Sequence, residues 1–282
     1  MPEHKDIPHL LALLDDESDW IGEQVSQALL AFGAELEPLT RGYRTQLNSR
    51  QLARLDATCR KWKNEAFFRQ WQHWLDIDDP YEALEVAFNQ LAYFHNDFEP
   101  VPLGAEIDAL AGRFLASSAP REPEALMRFL FFDEGFNIPH TDVHQPGYHD
   151  LHAILKNKKG EQLSLTVLAI LLGRRLGLEL FGMHVPGHFM LAAFEGHDIQ
   201  LYNTSNKGQP VARTSVLYLE ETFRRNDTSA REMVASPYEM VLQNLRNIIE
   251  CHCRKSQNSQ AQQYASLYES LMQQLKLRKL VK

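Results

Sequence analysis

Four polar residues in the middle of the chain carry the side chains that acyl-transfer chemistry uses. Ser164 offers a hydroxyl, His188 an imidazole and Asn203 a carboxamide, and Gln162 lies just ahead of Ser164. In such chemistry a hydroxyl or thiol attacks the acyl carbon, an imidazole takes up and returns the proton, and a third group fixes the imidazole tautomer. Ser164, His188 and Asn203 could therefore act as nucleophile, base and orienting group, whereas the neutral amide of Gln162 is not a nucleophile.

The segments around these residues predict a buried helix followed by a small antiparallel sheet. Residues 163–177 are apolar almost all round and end at Gly177, which is typical of a helix C-terminus. Short apolar runs bounded by turn residues predict three strands, at 178–181, 189–194 and 199–202. We therefore expect an α+β core in which His188 lies at the start of a strand and Asn203 opens the loop 203–208.

A longer series of positions in this region has the order and spacing of a known family. These positions are Phe136, Asp142, Pro146, Leu151 to Leu155, Lys159-Gly160, Leu163-Ser164-Leu165, Leu176-Gly177-Leu178, Pro186-Gly187-His188-Phe189 and 203–208. The segment resembles the transglutaminase-like superfamily, and most closely its bacterial branch, the SirB1 family. This resemblance implies a papain-like core, in which a buried helix packs on a small antiparallel sheet.

The resemblance also implies where the catalytic positions of the superfamily fall. The position of the catalytic cysteine, at the start of the buried helix, falls on Gln162. The histidine position falls on His188 and the aspartate position on Asn203. Asparagine can still orient an imidazole, as in papain-like Cys-His-Asn sites, so the missing thiol is the decisive change. The SirB1 branch commonly lacks this cysteine.

We therefore interpret the chain as a noncatalytic binding or regulatory protein. Its ligand surface would be the cleft around Gln162, His188 and Asn203, for an unknown protein or small-molecule partner. One alternative is a hydrolase or acyltransferase acting on amide bonds through Ser164, His188 and Asn203. Ser164 lies two residues along the helix from position 162 and so faces about 200° away from it, which favours a structural role. His188 could be a relic held by Asn203 or a working group, and both interpretations stay open.

The flanking regions predict helices and a division into three parts. Residues 1–80 are expected to be helical and HEAT-like, because two apolar helical patterns meet at the acidic turn Asp15-Asp16. These first two helices should pack on the helices that follow, from Ser49 to Leu75. Trp62, Trp71 and Trp74 would supply the large side chains for this contact. Residues 81–225 would form the core. Residues 226–282 are predicted to be a helical hairpin, tetratricopeptide-like, beginning at the capping box of Ser236 and Glu239. A purely structural helical scaffold is the third functional alternative.

The amino-acid composition limits the classes of binding partner and the cellular compartment that we expect for this protein. The 282 residues carry a formal net charge of −8, which disfavours binding to nucleic acids and to anionic membranes. The sequence contains neither a membrane-spanning apolar run nor a secretory signal, so we expect a cytoplasmic protein. Cys59, Cys251 and Cys253 form no paired framework and are interpreted as reduced core or surface thiols.

Two groups of possible metal ligands lack the spacing of a metal site. Seven of the twelve histidines lie in the central region: His140, His144, His149, His152, His184, His188 and His197. They lack an accompanying His-Glu-Xaa-Xaa-His motif or a cysteine pair, so we predict no metal and no cofactor, although metal binding by the histidine-rich loop stays open. Asp76, Asp78 and Asp79 lack the glycine and distal glutamate of a calcium loop and are interpreted as helix-terminal residues.

Overall fold

A computed structural model describes residues 2–139, 144–196, 198–225 and 227–280. The chain folds into two compact units, Met1–Gln70 and Trp71–Lys282. In this division the C-terminal helical hairpin belongs to the second unit. The boundaries at residues 80 and 225 stay predictions of the sequence.

The first unit is entirely helical in its described part. Its four α-helices are α1 (Ile7–Leu13), α2 (Asp19–Leu30), α3 (Leu36–Thr40) and α4 (Ser49–Gln70), with short 3-10 turns between them. α1 and α2 both pack on the long α4. The buried core is formed by Ile7, Leu11, Leu14, Val25, Leu29, Leu36 and Leu55.

The acidic turn between α1 and α2 is held by α4. The Arg54 guanidinium donates to the carbonyl oxygens of Leu14 and Asp16, both at 3.0 Å, and so satisfies carbonyls that the end of α1 leaves free. Ser18 caps α2 by accepting from the Ile21 amide at 3.5 Å. The two predicted helices and the turn are confirmed, and their assignment to a HEAT repeat stays a prediction.

The second unit combines eight α-helices with one small sheet in its described part. The helices are α5 (Pro80–His95), α6 (Leu103–Ala116), α7 (Pro123–Arg128), α8 (Leu151–Asn157), α9 (Gln162–Leu176), α10 (Arg213–Arg225), α11 (Pro237–Arg254) and α12 (Asn258–Leu277). A π-helical turn, Phe129–Asp133, extends α7. α10 was not predicted from the sequence, and its face towards solvent carries the exposed Leu217 and Tyr218.

α9 is the central helix of this unit. Twelve of its fifteen residues are buried, and it packs against α5, α6, α7 and α11 and against the sheet. It begins at Gln162, the residue that the sequence analysis places at the start of the buried helix. It ends at Gly177, whose φ of +76° allows the Leu178 amide to bond back to the Gly173 carbonyl at 2.9 Å.

The sheet has four antiparallel strands in the order β1-β2-β3-β4. They are β1 (Leu180–Val185), β2 (His188–Glu195), β3 (Asp198–Asn203) and the two-residue β4 (Gln209–Pro210). A two-residue turn, Pro186-Gly187, joins β1 to β2, and Gly187 has a φ of +79°. A helix-rich chain with a small antiparallel sheet confirms the predicted α+β class.

The prediction that the first strand ends at Phe181 was wrong. β1 continues through Gly182 to Val185, so His184 lies inside a strand rather than in a loop. Gly182 directly follows the predicted strand 178–181, but here it lies inside β1 and allows close packing, because a Cβ at this position would lie 2.5 Å from the Phe189 ring. The 3-10 turn Thr204–Asn206 falls within the segment 203–208 that was predicted as a plain loop, and β4 follows directly after that segment.

The predicted C-terminal helical hairpin and two predicted helix caps, at the starts of α11 and α5, are confirmed. Ser236 and Glu239 form the predicted capping box at the start of α11. Asp79 caps α5, its carboxylate accepting from the amides of Tyr81 at 2.9 Å and Glu82 at 3.0 Å. Trp71 is fully buried and donates to the Leu267 carbonyl of α12 at 3.3 Å, so its large side chain packs within the second unit.

Among the described residues, no helix is long and apolar enough to cross a membrane.

The loop that leads from the π-helical turn towards α8 is anchored by one carboxylate. Glu134 accepts from Arg113 at 2.6 and 2.9 Å and from the Lys158 ammonium at 2.7 Å. Lys158 also lies 4.2 Å above the Phe136 ring. The hydrogen bond from Arg113, followed by that from Lys158, lowers the pKa of Glu134 to about 2 against the opposing effect of burial.

We expect Glu134→Gln to lower the free energy of unfolding at pH 7 by about 2 kcal/mol, since one carboxylate neutralises two cations here. The folded-state pKa is depressed, so this stabilisation is fully present above about pH 4.5 and is lost as the pH falls towards 2. Urea unfolding at pH 7, 4 and 3 measures it, with the exposed Glu269→Gln as control. Equal losses in the two variants would contradict this role.

Candidate functional site

The first turn of α9 is fixed to the end of β3 by two threonines. The Thr166 hydroxyl donates to the Gln162 carbonyl at 2.8 Å and lies 2.9 Å from the Thr204 hydroxyl. Thr204 donates to the same carbonyl at 3.2 Å. Both threonines are buried. This polar link holds position 162 beside position 203, and the sequence analysis did not identify it.

Gln162 and Asn203 are brought together directly. The Gln162 Nε2 atom lies 3.5 Å from the Asn203 Oδ1 atom, at the outer limit of a hydrogen bond. Asn203 Oδ1 also accepts from the Ser205 amide at 3.0 Å and from the Ser205 hydroxyl at 2.6 Å, which caps the 3-10 turn. Two neutral carboxamides therefore stand side by side at a helix N-terminus, and neither can supply a nucleophile.

His188 lies at the same end of the sheet but does not join this pair. Leu191 is opposite Tyr202, so continuing the register by one residue puts His188 diagonal to Asn203 on the same face, at about 7–8 Å between Cα atoms. The imidazole is exposed and makes no hydrogen bond to another described residue. It is the first residue after the hairpin turn and is paired with Val185.

Ser164 points into the core. It is fully buried, and its hydroxyl donates to Asn244 Oδ1 on α11 at 3.4 Å. Asn244, also fully buried, donates in turn to the His149 carbonyl at 3.2 Å. Among the described contacts, Ser164 has none with His188 or Asn203. A nucleophile must reach its substrate, so this geometry favours the structural interpretation of Ser164.

Glu161 adds an ionisable group that the sequence analysis missed. It is the N-cap of α9, and its carboxylate accepts from the Gln162 amide at 3.3 Å. Burial raises the pKa of Glu161, while the Gln162 amide and the charge of His144 act in the opposite direction. Acidic residues are stabilising near any helix N-terminus because of the helix dipole, so the sequence offered no further signal.

The loop that carries Asn203 is shaped by one glycine. Gly208 has a φ of +66°, and a Cβ there would lie 2.7 Å from the Phe131 ring. Its amide donates to the Asn203 carbonyl at 2.9 Å. This close approach aligns Asn203 with the start of α9.

Within the described ranges, no group of three or more His, Cys, Asp or Glu side chains is placed to hold a metal ion. His149 and His152, three residues apart in sequence, have separate partners: Cys251 Sγ at 3.4 Å and Glu106 Oε2 at 2.8 Å. His140, Asp142 and His197 lie outside the described residues. Cys251 is buried, and burial raises the pKa of its thiol to about 11.

We expect Asn244→Leu to lower the free energy of unfolding by about 1–3 kcal/mol, because it leaves the buried Ser164 hydroxyl and His149 carbonyl without their partner. Adding Ser164→Ala should recover part of this loss, since it removes one orphaned group. Chemical denaturation measures both, with Asn247→Leu on the same helix as control. A variant as stable as the control would contradict the proposed polar link between α9 and α11.

Comparison with known proteins gives a family and two distant relatives. The matches include proteins named UPF0162 protein from Xylella fastidiosa strains Temecula1 and 9a5c, each 30% identical over 92 residues. The aligned part is 33% of this chain and 33% of each relative, so the chain spans about a third of the length of the curated relatives it matches. No solved structure matches. The sequence pattern described as "Transglutaminase-like superfamily" matches residues 102–242, which is half of the chain and includes α9, the sheet and the Gln162–Asn203 pair. The chain therefore belongs to the transglutaminase-like superfamily.

Proposed function

We propose that this chain is a noncatalytic binding or regulatory protein built on a transglutaminase-like scaffold, of the SirB1 type, in the cytoplasm. The observation that carries the proposal is the Gln162–Asn203 contact at the start of α9. An amide occupies the position that the family resemblance assigns to the thiol, and a neutral amide cannot attack an acyl carbon. The HEAT-like and tetratricopeptide-like ends are part of this proposal and would offer additional contact surfaces.

The polar side-chain atoms of Gln162, Asn203 and His188 favour a ligand that both donates and accepts hydrogen bonds. Among the described contacts, none engages Gln162 Oε1, Asn203 Nδ2 or the two ring nitrogens of His188. Together these atoms offer donors and acceptors without a fixed charge. Such a set fits a neutral polar group, on a protein segment or a small molecule, better than an ion.

The hydrolase alternative has less support. It requires Ser164 as the nucleophile, and this hydroxyl is buried against Asn244. His188 would have to move towards the helix, and Asn203 Oδ1 is already shared with Ser205. A structural scaffold remains the other alternative, and binding measurements distinguish it from a ligand-binding cleft.

We expect the protein to hydrolyse p-nitrophenyl acetate and a chromogenic peptide amide no faster than its His188→Ala variant does, since the site lacks a nucleophile. Initial rates across pH 5–9 test this, with Ser164→Ala as a second comparison. A rate that follows a single titration and disappears in both variants would overturn the noncatalytic proposal.

We expect N-acetylglutaminamide, as a neutral amide probe, to cause saturable NMR shifts at residues 162, 188 and 203. Gln162→Leu should weaken this binding at least tenfold, and the exposed Gln262→Leu on α12 should leave it unchanged. Shifts that do not saturate, or that are the same in both variants, would contradict a ligand cleft at this corner and favour the scaffold alternative.

A further inference from the structure

Five side chains form a cluster where the α11–α12 hairpin meets the rest of the second unit. They are His95 at the end of α5, His149 and Asp150 just before α8, His252 on α11 and Tyr264 on α12. The last four are between 3% and 7% exposed. We call these five residues the histidine latch. It lies apart from the Gln162–Asn203 pair, and the inference below is independent of the proposed function.

The latch joins its helices through named contacts. His95 Nδ1 lies 2.8 Å from the Tyr264 hydroxyl, and the His252 ring stacks on the Tyr264 ring with centroids 5.4 Å apart at 19°. His149 Nε2 lies 3.4 Å from Cys251 Sγ of α11. The two helices of the hairpin are thus tied to α5 and to the turn before α8 by imidazole contacts.

Two ring nitrogens in the latch are buried without a hydrogen-bond partner among the described residues, His149 Nδ1 and His252 Nε2. His252 Nδ1 lies 2.8 Å from the Gln257 Oε1 acceptor, so Nδ1 carries the proton and Nε2 holds a lone pair. A second proton on His252 would have to sit on Nε2, where no acceptor faces it. Charging His149 likewise leaves the Nδ1–H unsatisfied, which is costly in a buried site.

The charged groups around the latch do not compensate three imidazolium ions. Asp150 is its one carboxylate among the described residues, and its oxygens already accept from the amides of His152 at 3.1 Å and Ala153 at 3.3 Å. The neighbouring charges have partners of their own: Glu106 with His152, Glu250 with Arg254, Arg254 with His144, and Lys255 with Gln145.

The directions in which the pKa values of the latch residues shift agree with this geometry. Burial lowers the pKa of His149 to about 4, and the charges of His95 and His144 act in the same direction. Burial also lowers the pKa of His95, against the attraction of Asp150, and raises the pKa of Asp150. His95 and His149 are therefore held neutral at pH 7.

We propose that the histidine latch is an acid-sensitive device that holds the α11–α12 hairpin in place at neutral pH and releases it when the imidazoles take up protons. A released hairpin exposes His95 and His149 to water, where their pKa values return towards the ordinary value of 6.5. The open state then binds more protons between pH 6.5 and 4, so the closed state loses stability as the pH falls through that window. Asp150 acts in the opposite direction, but one carboxyl offsets one imidazole at most.

Hydrogen exchange read out by mass spectrometry tests the latch in the full chain. After correction for the pH dependence of intrinsic exchange, peptides from α12 should exchange at least tenfold faster at pH 5 than at pH 7. Peptides from α9 should keep their protection. The double variant His149→Phe and His252→Phe should remove most of the pH effect, because the rings remain but cannot be charged, and the exposed His9→Phe should retain it.

Three outcomes would overturn the proposal. α9 and α12 could lose protection together, which would indicate global unfolding rather than release of the hairpin. The double variant could retain the full pH effect. If this variant does not fold, NMR titration of the unmodified protein replaces it: a His149 imidazole that titrates near 6.5 while α12 stays protected would show that its protonation does not open the hairpin.

Discussion

The burial of α9 is the constraint on which the rest of the second unit depends. A helix that is apolar almost all round cannot face water, so it must be covered by the sheet on one side and by α5, α6, α7 and α11 on the others. Once it is enclosed, only its two ends reach the surface, at Gln162 and at Arg174 and Arg175. Position 162 therefore lies at a corner where the end of β3 and the β1–β2 turn also arrive.

That corner is assembled by polar contacts rather than by apolar packing. Thr166 and Thr204 share the Gln162 carbonyl, and Gly208 lets the following loop lie against the Phe131 ring. These contacts hold position 162 beside position 203. In the proposed noncatalytic role, the scaffold would keep its geometry without a nucleophile, because stability comes from the helix and the sheet while chemistry comes from one or two side chains.

The polar groups buried behind the start of α9 bond to one another rather than to a ligand. Ser164, Asn244 and the His149 carbonyl form a buried chain that links α9, α11 and the turn before α8. Buried polar groups are costly unless paired, so such a chain favours one register of the α11–α12 hairpin over others. His149 takes part in both groups, because its carbonyl ends this chain and its imidazole belongs to the histidine latch. The same hairpin is therefore positioned by uncharged hydrogen bonds and exposed to control by protonation.

The sequence by itself determined the local elements with strong signals: the start and end of α9, the capping box of α11, the Asp79 cap and the α+β class. These follow from hydrophobic periodicity and from the short-range chemistry of caps and turns. It also indicated Gln162, His188 and Asn203 through a family resemblance. Tertiary structure alone decided that Gly182 lies inside a strand, that Ser164 turns towards Asn244, and that His95, His149 and His252 meet. Those outcomes depend on which residues distant in sequence become neighbours, and local patterns carry no information about such contacts.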